Sequence, residues 1–529
     1  MQIALIFVLL LSFVLGLGLL ARRLDVPYPI LFVLGGLVIS FLSILPHQLR
    51  LEPDLVFFLV LPPLLYIQAF YTSWRDFYFY LRSILLLAIG LVFVITVTVA
   101  YVAHWLIPDF PLSAGFVLGA IISPPDAVAA SAIAKRLGLP RRIVTVLEGE
   151  SLVNDATSLV IFKVALATIG VTTSLLAHAW VPGEFIYISA GGVAVGLVVA
   201  KGIAWLRARI LEDGVQISLT VSLLTPYISY LLADQFLHVS GVLAVVTTGL
   251  YLGWEAPETV SSNIRLQTRA VWEMIIYLLN GVVFVLIGLQ LPGILHSMRQ
   301  YWWPWPFIYA VVINVVCIAV RFAWIFPGAY LPGMLSKRIR EREERPDWRY
   351  VTIVGWSGMR GIVSLAAALT LQGYPNFPRP HLVQFFAFSV ILTSLVFQGL
   401  TLPALIRFLG VGDDGIPARE ELEARSVIST AVFDKLDEIR LEEKFPGSAL
   451  EVVENFYRER ALMLQDQLAD KLGWSTQHNH VLSVRRLNRM MIALQRRELL
   501  AMRRSGRIGD DVMHKIEHEL DLEEVRLNE

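Results

Sequence analysis

Two acidic residues lie inside apolar stretches that are long enough to cross a membrane. Asp126 follows the Ser-Pro-Pro sequence at 123–125, and Asp155 follows Asn154 in the segment Gly-Glu-Ser-Leu-Val-Asn-Asp. A carboxylate at bilayer depth is costly unless it faces protein, water or a cation, so such a residue is a functional-site hypothesis by default. Two of them, one beside a proline pair, predict a place where a cation or a proton pauses as it crosses the membrane.

The residue types around these acids suit an alkali cation. Ser151 and Asp155 are four residues apart and share one face of a helix. Proline has no N–H group and disrupts the bond to the preceding turn, so the pair at 124–125 leaves backbone carbonyl oxygens free. We expect Asp155 and Ser151 to face Asp126 and those carbonyls, with Asn154 bonding or capping the broken helix. Carboxylate, hydroxyl and carbonyl oxygens suit hard cations, and nothing in the apolar part suggests a zinc or iron site.

A single carboxylate can serve two ions in turn. Asp155 binds a cation only while it is ionised and carries a proton only while it is neutral. The sequence therefore predicts antiport by competition at this residue. The alternatives are a buried structural carboxyl at Asp155 and a helix cap at Asp126, and the second is compatible with a role in the site.

Glu150 needs a different partner, because five residues on a helix separate it from Asp155 by about 140° in azimuth. The available cations are Arg321 and Arg360, and an arginine at this depth itself requires an acid. We interpret Glu150, Arg321 and Arg360 as a structural ion-pair group. In it Glu150 pairs with Arg321, and Arg360 lies near a helix break.

The composition divides the chain into two domains. The chain of 529 residues is 56% hydrophobic and 17% charged, below the roughly 25% charged residues of globular domains. Residues 413–529 carry 18 of the 44 basic and 24 of the 44 acidic residues, which leaves 26 and 20 in residues 1–412. We predict a membrane transport domain at 1–412 and a helical cytoplasmic regulatory tail at 413–529. No basic tract indicates nucleic acid, and the lone Cys317 excludes disulfides and cysteine metal sites.

The apolar segments predict an all-α polytopic membrane protein with about thirteen transmembrane helices. With the N-terminus outside, the inside loops hold 19 basic residues and the outside loops three. This asymmetry predicts a cytoplasmic tail. The predicted spans are 2–21, 28–45, 54–70, 82–106, 112–135, 141–169, 184–206, 215–234, 239–254, 268–291, 305–331, 350–372 and 382–409.

Two of the predicted spans are broken at equivalent places. The fifth breaks at the Ser-Pro-Pro sequence, and the twelfth contains three glycines and an arginine at 355–361. Spans 1–6 and 8–13 could form two six-helix repeats of opposite topology, although no identity between the halves is visible. Inverted repeats place a transport site at mid-membrane, where broken helices meet.

Five motifs in order resemble the electroneutral sodium/proton antiporters of the cation–proton antiporter superfamily, in the branch with an Asn-Asp pair. The resemblance spans most of residues 1–410. The motifs are Leu-Pro-Pro-Leu-Leu at 61–65, Ser-Pro-Pro-Asp at 123–126, Gly-Glu-Ser-Leu-Val-Asn-Asp-Ala-Thr at 149–157, Asn-Gly-Val-Val-Phe at 280–284 and Gly-Met-Arg-Gly at 358–361.

This resemblance implies a homodimer in the cell (inner) membrane, in contact with its lipids. A mobile core would expose the site alternately, as an elevator does. One Na+ would leave for each H+ that enters, and no cofactor is needed. Asp155 and Asp126 would bind Na+, with Ser151 and Asn154 in support. Glu150 with Arg321 matches the family's internal ion pair.

The chain departs from the family at two places. Pro125 stands where many members have a threonine, so one hydroxyl ligand is missing, and the third span has no acid after its proline pair. We name Ser123, Pro125 and Gln68 as further candidate supports. These departures leave Na+, Li+ and K+ open as the transported ion.

Other functions are less well matched by the motifs. They include a K+/H+ antiporter, a proton-coupled transporter of another solute, a channel and, remotely, an intramembrane aspartyl protease. The protease would carry a Gly-x-Gly-Asp pattern within a span, whereas the one such sequence here, at 410–413, follows the last predicted span. In the tail, apolar residues at helical spacing predict helices at 451–471, 483–505 and 510–525.

Overall fold

The computed structural model divides into two compact units, Met1–Gly412 and Asp413–Glu529. No β-strand occurs in the residues that it describes, so the prediction of an all-helical protein is confirmed for them. The described residues are 2–24, 26–42, 52–169, 181–210, 214–298, 304–337, 341, 346–413, 415–442, 445–471 and single or grouped positions between 487 and 520.

Every predicted span of the first unit coincides with a helix or with a broken pair of helices. Short helices also occur at Trp74–Phe79 and Leu291–Ser297. The main helices are α1 Gln2–Leu24, α2 Tyr28–Leu42, α3 Pro53–Tyr71, α4 Leu81–Leu106, α5a Leu112–Ile122, α5b Ala127–Arg136, α6 Arg141–Ala167, α7 Val181–Ile210, α8 Val215–Phe236, α9 Gly241–Thr259, α10 Ser262–Leu289, α11 Trp305–Leu335, α12a Trp348–Trp356, α12b Ile362–Thr370 and α13 Pro380–Leu409.

Eight helices in the described part of the chain are long and apolar enough to cross a membrane by length and composition alone. Helix α6 is long but carries Glu148, Glu150 and Asp155, and α12 is interrupted between its two halves. The acids of α6 and the break of α12 therefore weaken the spanning signal of these two helices, whereas α5, which holds Asp126, is still counted as a span.

The helices of the first unit pack as two groups. One contains α4, α5, α6, α11, α12 and α13, and the other contains α1 to α3 and α7 to α10. Within the second group, α2 packs along α10 and α3 packs along α9. Side chains of both groups meet around the broken helices, so the breaks lie at the boundary between the groups.

The two breaks have local causes. Helix α5a ends at Ile122 before the proline pair, and α5b begins after Asp126, whose side chain caps it. Helix α12a ends at Trp356 and α12b begins after Gly361. Each break exposes carbonyl oxygens at one helix end and N–H groups at the next, because end groups have no intrahelical partner.

In the second unit, two helices are described over their full lengths, Ile416–Leu441 (α14) and Gly447–Lys471 (α15). The second matches the helix predicted at 451–471. The helices predicted at 483–505 and 510–525 lie largely outside the described residues.

The close contact of α4 and α5a predicts a stability difference between two glycines. A Cβ atom at Gly119 would overlap the carbonyl oxygen of Thr96 in α4, whereas one at Gly16 of α1 would meet nothing within 4 Å. We expect Gly119→Ala to lower the stability by about 1–3 kcal/mol, as overpacking does. Gly16→Ala should leave stability unchanged or raise it slightly, because alanine favours the helix.

The measurement is the temperature at which half of the detergent-purified protein is lost from its monodisperse elution peak. Equal melting temperatures for the two variants would contradict the described packing of α4 on α5a.

Candidate cation site

A small cavity lies between the broken helices and the second helix group. It has a volume of about 40 Å3, which leaves room for a few water molecules or one partly hydrated ion. One wall is mainly apolar and comes from α3 and α10, and the other carries the polar groups. The cavity is lined by Leu61, Leu64, Leu65, Gln68, Pro124, Asp126, Val128, Ser151, Asp155, Asn280, Val283, Phe284, Gly361, Ile362, Val363 and Ser364.

Asp126 lies where the two broken helices cross. Its Oδ1 accepts a hydrogen bond of 2.8 Å from the Val128 N–H, at the start of α5b. Its own N–H donates to the carbonyl oxygen of Met359 at 2.5 Å, within the break of α12. A Cβ atom at Gly361, which precedes α12b, would overlap the Asp126 carboxylate. The carboxylate thus lies near two helix N-termini, where partial positive charge favours an anion.

Helix α6 holds the other acid and joins it to the break of α5. Ser151 Oγ accepts a hydrogen bond of 3.2 Å from the Ala127 N–H. Asn154 Nδ2 donates to the Pro125 carbonyl oxygen at 2.8 Å. The side chain of Asp155 is 8% exposed. Within the described part of the chain, no hydrogen bond engages its carboxylate, which leaves both oxygens for an ion in the cavity.

The predicted supporting residues have different positions. Gln68 lines the cavity with the acids, but Ser123, Pro125 and Asn154 do not. Ser123 Oγ instead donates to the Ala120 carbonyl at 3.0 Å. Asn154 holds the broken backbone in place, because the proline pair leaves carbonyl oxygens that need a donor.

Glu150 and Arg321 form a bidentate ion pair. Arg321 Nη1 lies 2.7 Å from Glu150 Oε1, Arg321 Nη2 lies 2.9 Å from Oε2, and both side chains are 1% exposed. Arg321 also donates to the carbonyl oxygens of Val354 and Gly355 at the end of α12a. The pair therefore joins α6 and α11 to one side of the second break.

Arg360 lies between α12a and α12b, near a helix break as expected, but it is not part of the bidentate pair of Glu150 and Arg321. Among the described residues no carboxylate lies within ion-pair distance of it. Its Nε donates to the Ile122 carbonyl oxygen at 3.1 Å, and Nη1 donates to the Gly358 carbonyl oxygen at 2.6 Å. The Ile122 carbonyl lies at the C-terminal end of α5a and the Gly358 carbonyl lies within the break of α12. The partial negative charge of these oxygens takes the place of an acid.

Two features of this region were missed by reasoning from the sequence. Asn280 and Ser364 line the cavity, although neither was named as a candidate ligand. Asn280 is the first residue of the Asn-Gly-Val-Val-Phe motif, and Ser364 comes three residues after the Gly-Met-Arg-Gly motif. In addition, Lys163 Nζ lies 2.7 Å from Asp234 Oδ1, away from the cavity lining. Their separation of 71 residues gave no local signal for this pair.

The buried ion pair predicts a sharp contrast between two glutamates of α6. Glu150→Gln removes a carboxylate that compensates a fully buried arginine, so we expect a loss of about 3–5 kcal/mol. Glu148→Gln makes the same chemical change two residues earlier. There the partner Lys135 is 65% exposed, so we expect at most about 1 kcal/mol.

For both variants, the measurement is the temperature at which half of the detergent-purified protein is lost from its monodisperse elution peak. Similar melting temperatures for the two glutamine variants would contradict a structural role of the Glu150–Arg321 pair.

Comparison with known proteins identifies the family. The family model for the sodium/hydrogen exchanger transmembrane domain matches residues 8–408. An uncharacterized Na+/H+ exchanger of Mycobacterium tuberculosis is 34% identical, over 96% of this chain and 93% of its own length. A sodium, potassium, lithium and rubidium/H+ antiporter of Bacillus pumilus is 35% identical, over 77% of this chain and 61% of its own length.

A solved structure shows the same fold. The sodium proton antiporter MjNhaP1 of Methanocaldococcus jannaschii matches with a TM-score of 0.61 at 21% identity, over 78% of this chain and all of that chain. The resemblance inferred from five motifs is thereby confirmed, and the remote alternative of a protease is wrong. The chain belongs to the sodium/hydrogen exchanger family of membrane antiporters, which are transporters and not enzymes.

Proposed function

We propose that this protein exchanges Na+ for H+ by competition at Asp155, with Asp126 as the second carboxylate of the site. The observation that carries the proposal is the small cavity lined by both carboxylates. Ser151 Oγ adds a hydroxyl oxygen to the same wall. This set of hard oxygen ligands suits an alkali cation.

The buried charges favour an exchange of one ion for one ion. The group around the breaks contains three acids, Glu150, Asp126 and Asp155, and two cations, Arg321 and Arg360. Its formal charge is −1 when every residue is ionised. Either one Na+ or one H+ neutralises it, so both loaded forms cross the membrane with the same charge.

The cavity walls favour movement of one helix group against the other. Leu61, Leu64 and Leu65 of α3, with Val283 and Phe284 of α10, form an apolar surface opposite the polar groups. Apart from Gln68 and Asn280, the lining residues of this wall carry no polar side chain that could bond to the polar wall. We propose that the group of α4–α6 and α11–α13 carries the ion as an elevator does.

The packing pattern supports the predicted inverted repeats. If helices α1–α6 correspond to α8–α13, the pairing of α2 with α10 corresponds to that of α9 with α3, and both pairings occur. The pairings of α4 with α5a and of α5b with α6 have counterparts in α11 with α12a and α12b with α13. A pseudo-twofold relation of this kind places the site where the broken helices cross.

The proposal also includes the membrane topology, the oligomeric state and the cellular location of the protein. Thirteen spans with the N-terminus outside put most basic loop residues in the cytoplasm. We propose a homodimer in the cell membrane, with residues 413–529 as a cytoplasmic regulatory domain. Exchange of K+ or Li+ is the second candidate, because the Bacillus pumilus relative is named for sodium, potassium, lithium and rubidium.

Neutralising Asp155 tests the proposal directly. Asp155→Asn cannot alternate between a charged and a protonated form, so we expect Na+-driven proton movement in proteoliposomes to fall to the level of protein-free vesicles. A fluorescent pH indicator inside the vesicles reports the rate. Proton-driven uptake of a labelled organic solute would favour the alternative of another substrate.

The matched control is Asp234→Asn, the same chemical change at an acid paired with Lys163, whose side chain is 60% exposed. We expect it to keep most of the activity, because exposed ion pairs contribute about 1 kcal/mol or less. Normal exchange by Asp155→Asn would overturn the proposed function.

The charge balance predicts electroneutral exchange. When Na+ is raised over proteoliposomes fixed on a sensor electrode, we expect proton flux without a current proportional to it. Vesicles with Asp155→Asn give the background. A steady current that scales with the proton flux would contradict the one-for-one exchange inferred from the buried charges.

A further inference from the structure

Ser364 differs from three other buried serines near the two breaks, and from Ser131 of α5b, whose hydroxyl also has no partner in the described part of the chain but does not line the cavity. Its side chain is 2% exposed, and its Oγ has no hydrogen-bond partner among the described residues. Ser123, Ser357 and Ser394 each donate to a backbone carbonyl three or four residues earlier. A buried hydroxyl without a partner loses its hydration and gains nothing in return, so Ser364 needs an explanation.

The break of α12 explains why Ser364 has no local acceptor. Helical serines usually donate to the carbonyl of the preceding turn. Ser364 is the third residue of α12b, so the residues before that helix form the break and not a helical turn. Its hydroxyl therefore has no acceptor within its own helix, and its partner must come from the groups around the break.

Those surroundings are the cation site. Gly361 lies against the Asp126 carboxylate, and Ser364 is three residues further along the chain. Residues three apart at the start of a helix share one face. Ser364 also lines the same cavity as Asp126 and Asp155.

We propose that Ser364 Oγ is a ligand of the transported cation, supplied by α12b to complete the oxygens from α5 and α6. The inference rests on the proposed exchange at Asp155 and adds a residue that determines ion affinity. A hydroxyl offers two lone pairs to a hard cation, whereas a proton held on a carboxylate does not need it. Ser364 therefore raises the affinity for the metal ion relative to the proton.

The test measures Na+-driven proton movement by the full chain in proteoliposomes as a function of Na+ concentration. We expect Ser364→Ala to raise the KM for Na+ about tenfold, the usual scale for losing one buried polar contact. The maximal rate should stay within about twofold, because the change acts on ion binding. Ser364→Thr keeps the oxygen and should retain the low KM. Ser364→Cys keeps a similar volume but offers soft sulfur, so it should behave like alanine.

The pH profile gives a second readout. Because H+ and Na+ compete, a tenfold weaker Na+ site should move the acid limb of the activity profile up by about one pH unit at a fixed Na+ concentration that saturates both proteins at alkaline pH. Ser357→Ala is the matched control. It removes a buried hydroxyl from the break of the same helix but outside the cavity lining, and it should change neither KM nor the profile.

An unchanged KM in Ser364→Ala, or a lower maximal rate at constant KM, would overturn the inference. If alanine impairs folding, the thermal stability of detergent-purified protein shows it, and the contrast between threonine and cysteine decides the question. Asp155→Asn in the same assay distinguishes a failure of the Ser364 inference from a failure of the proposed exchange at Asp155. If that variant is inactive while the Ser364 variants behave normally, the exchange site stands and the extra ligand does not.

Discussion

The cost of keeping a charge away from water governs the centre of this protein. Four of its five central charges have a fixed compensation. Glu150 and Arg321 compensate each other, Asp126 lies at the N-terminal ends of two half-helices, and Arg360 donates to carbonyl oxygens. Only Asp155 has no such partner among the described residues. An unpaired carboxylate in this setting needs a proton or a cation, which is the requirement that an exchanger uses.

The broken helices make this arrangement possible. An unbroken helix satisfies its own backbone groups and offers an ion only side chains. The two breaks turn backbone ends into local charges of both signs, and the sequence places an acid near the positive ends and an arginine near the negative ends. Asn154 joins α6 to the Pro125 carbonyl at the first break, and Arg321 joins α6 to the carbonyls at the second. Helix α6 therefore bears Asp155, at which we propose the exchange, and is connected to both breaks, to the second one through Arg321.

Much of this could be predicted from local sequence. Hydropathy located the helices, proline and glycine located the breaks, and the azimuth of Glu150 separated it from Asp155 and directed it to an arginine. The groups that Arg360 contacts could not be predicted, because backbone carbonyls leave no mark in a sequence. The role inferred for Ser364 depends on an acceptor that is missing only after the helix breaks, and the pair of Lys163 with Asp234 joins residues distant in the chain. These features depend on how separate helices are arranged in space. Residue spacing along one helix does not give that information.

The most direct test of the central claim is proton release on cation binding, measured without transport. Na+ is added to concentrated, detergent-purified protein in weak buffer at a pH where Asp155 is protonated, and an indicator dye records the protons set free. The account predicts that close to one proton leaves for each Na+ bound, and that Asp155→Asn releases none. Sodium binding without proton release in the unsubstituted protein, or equal release by the asparagine variant, would contradict it.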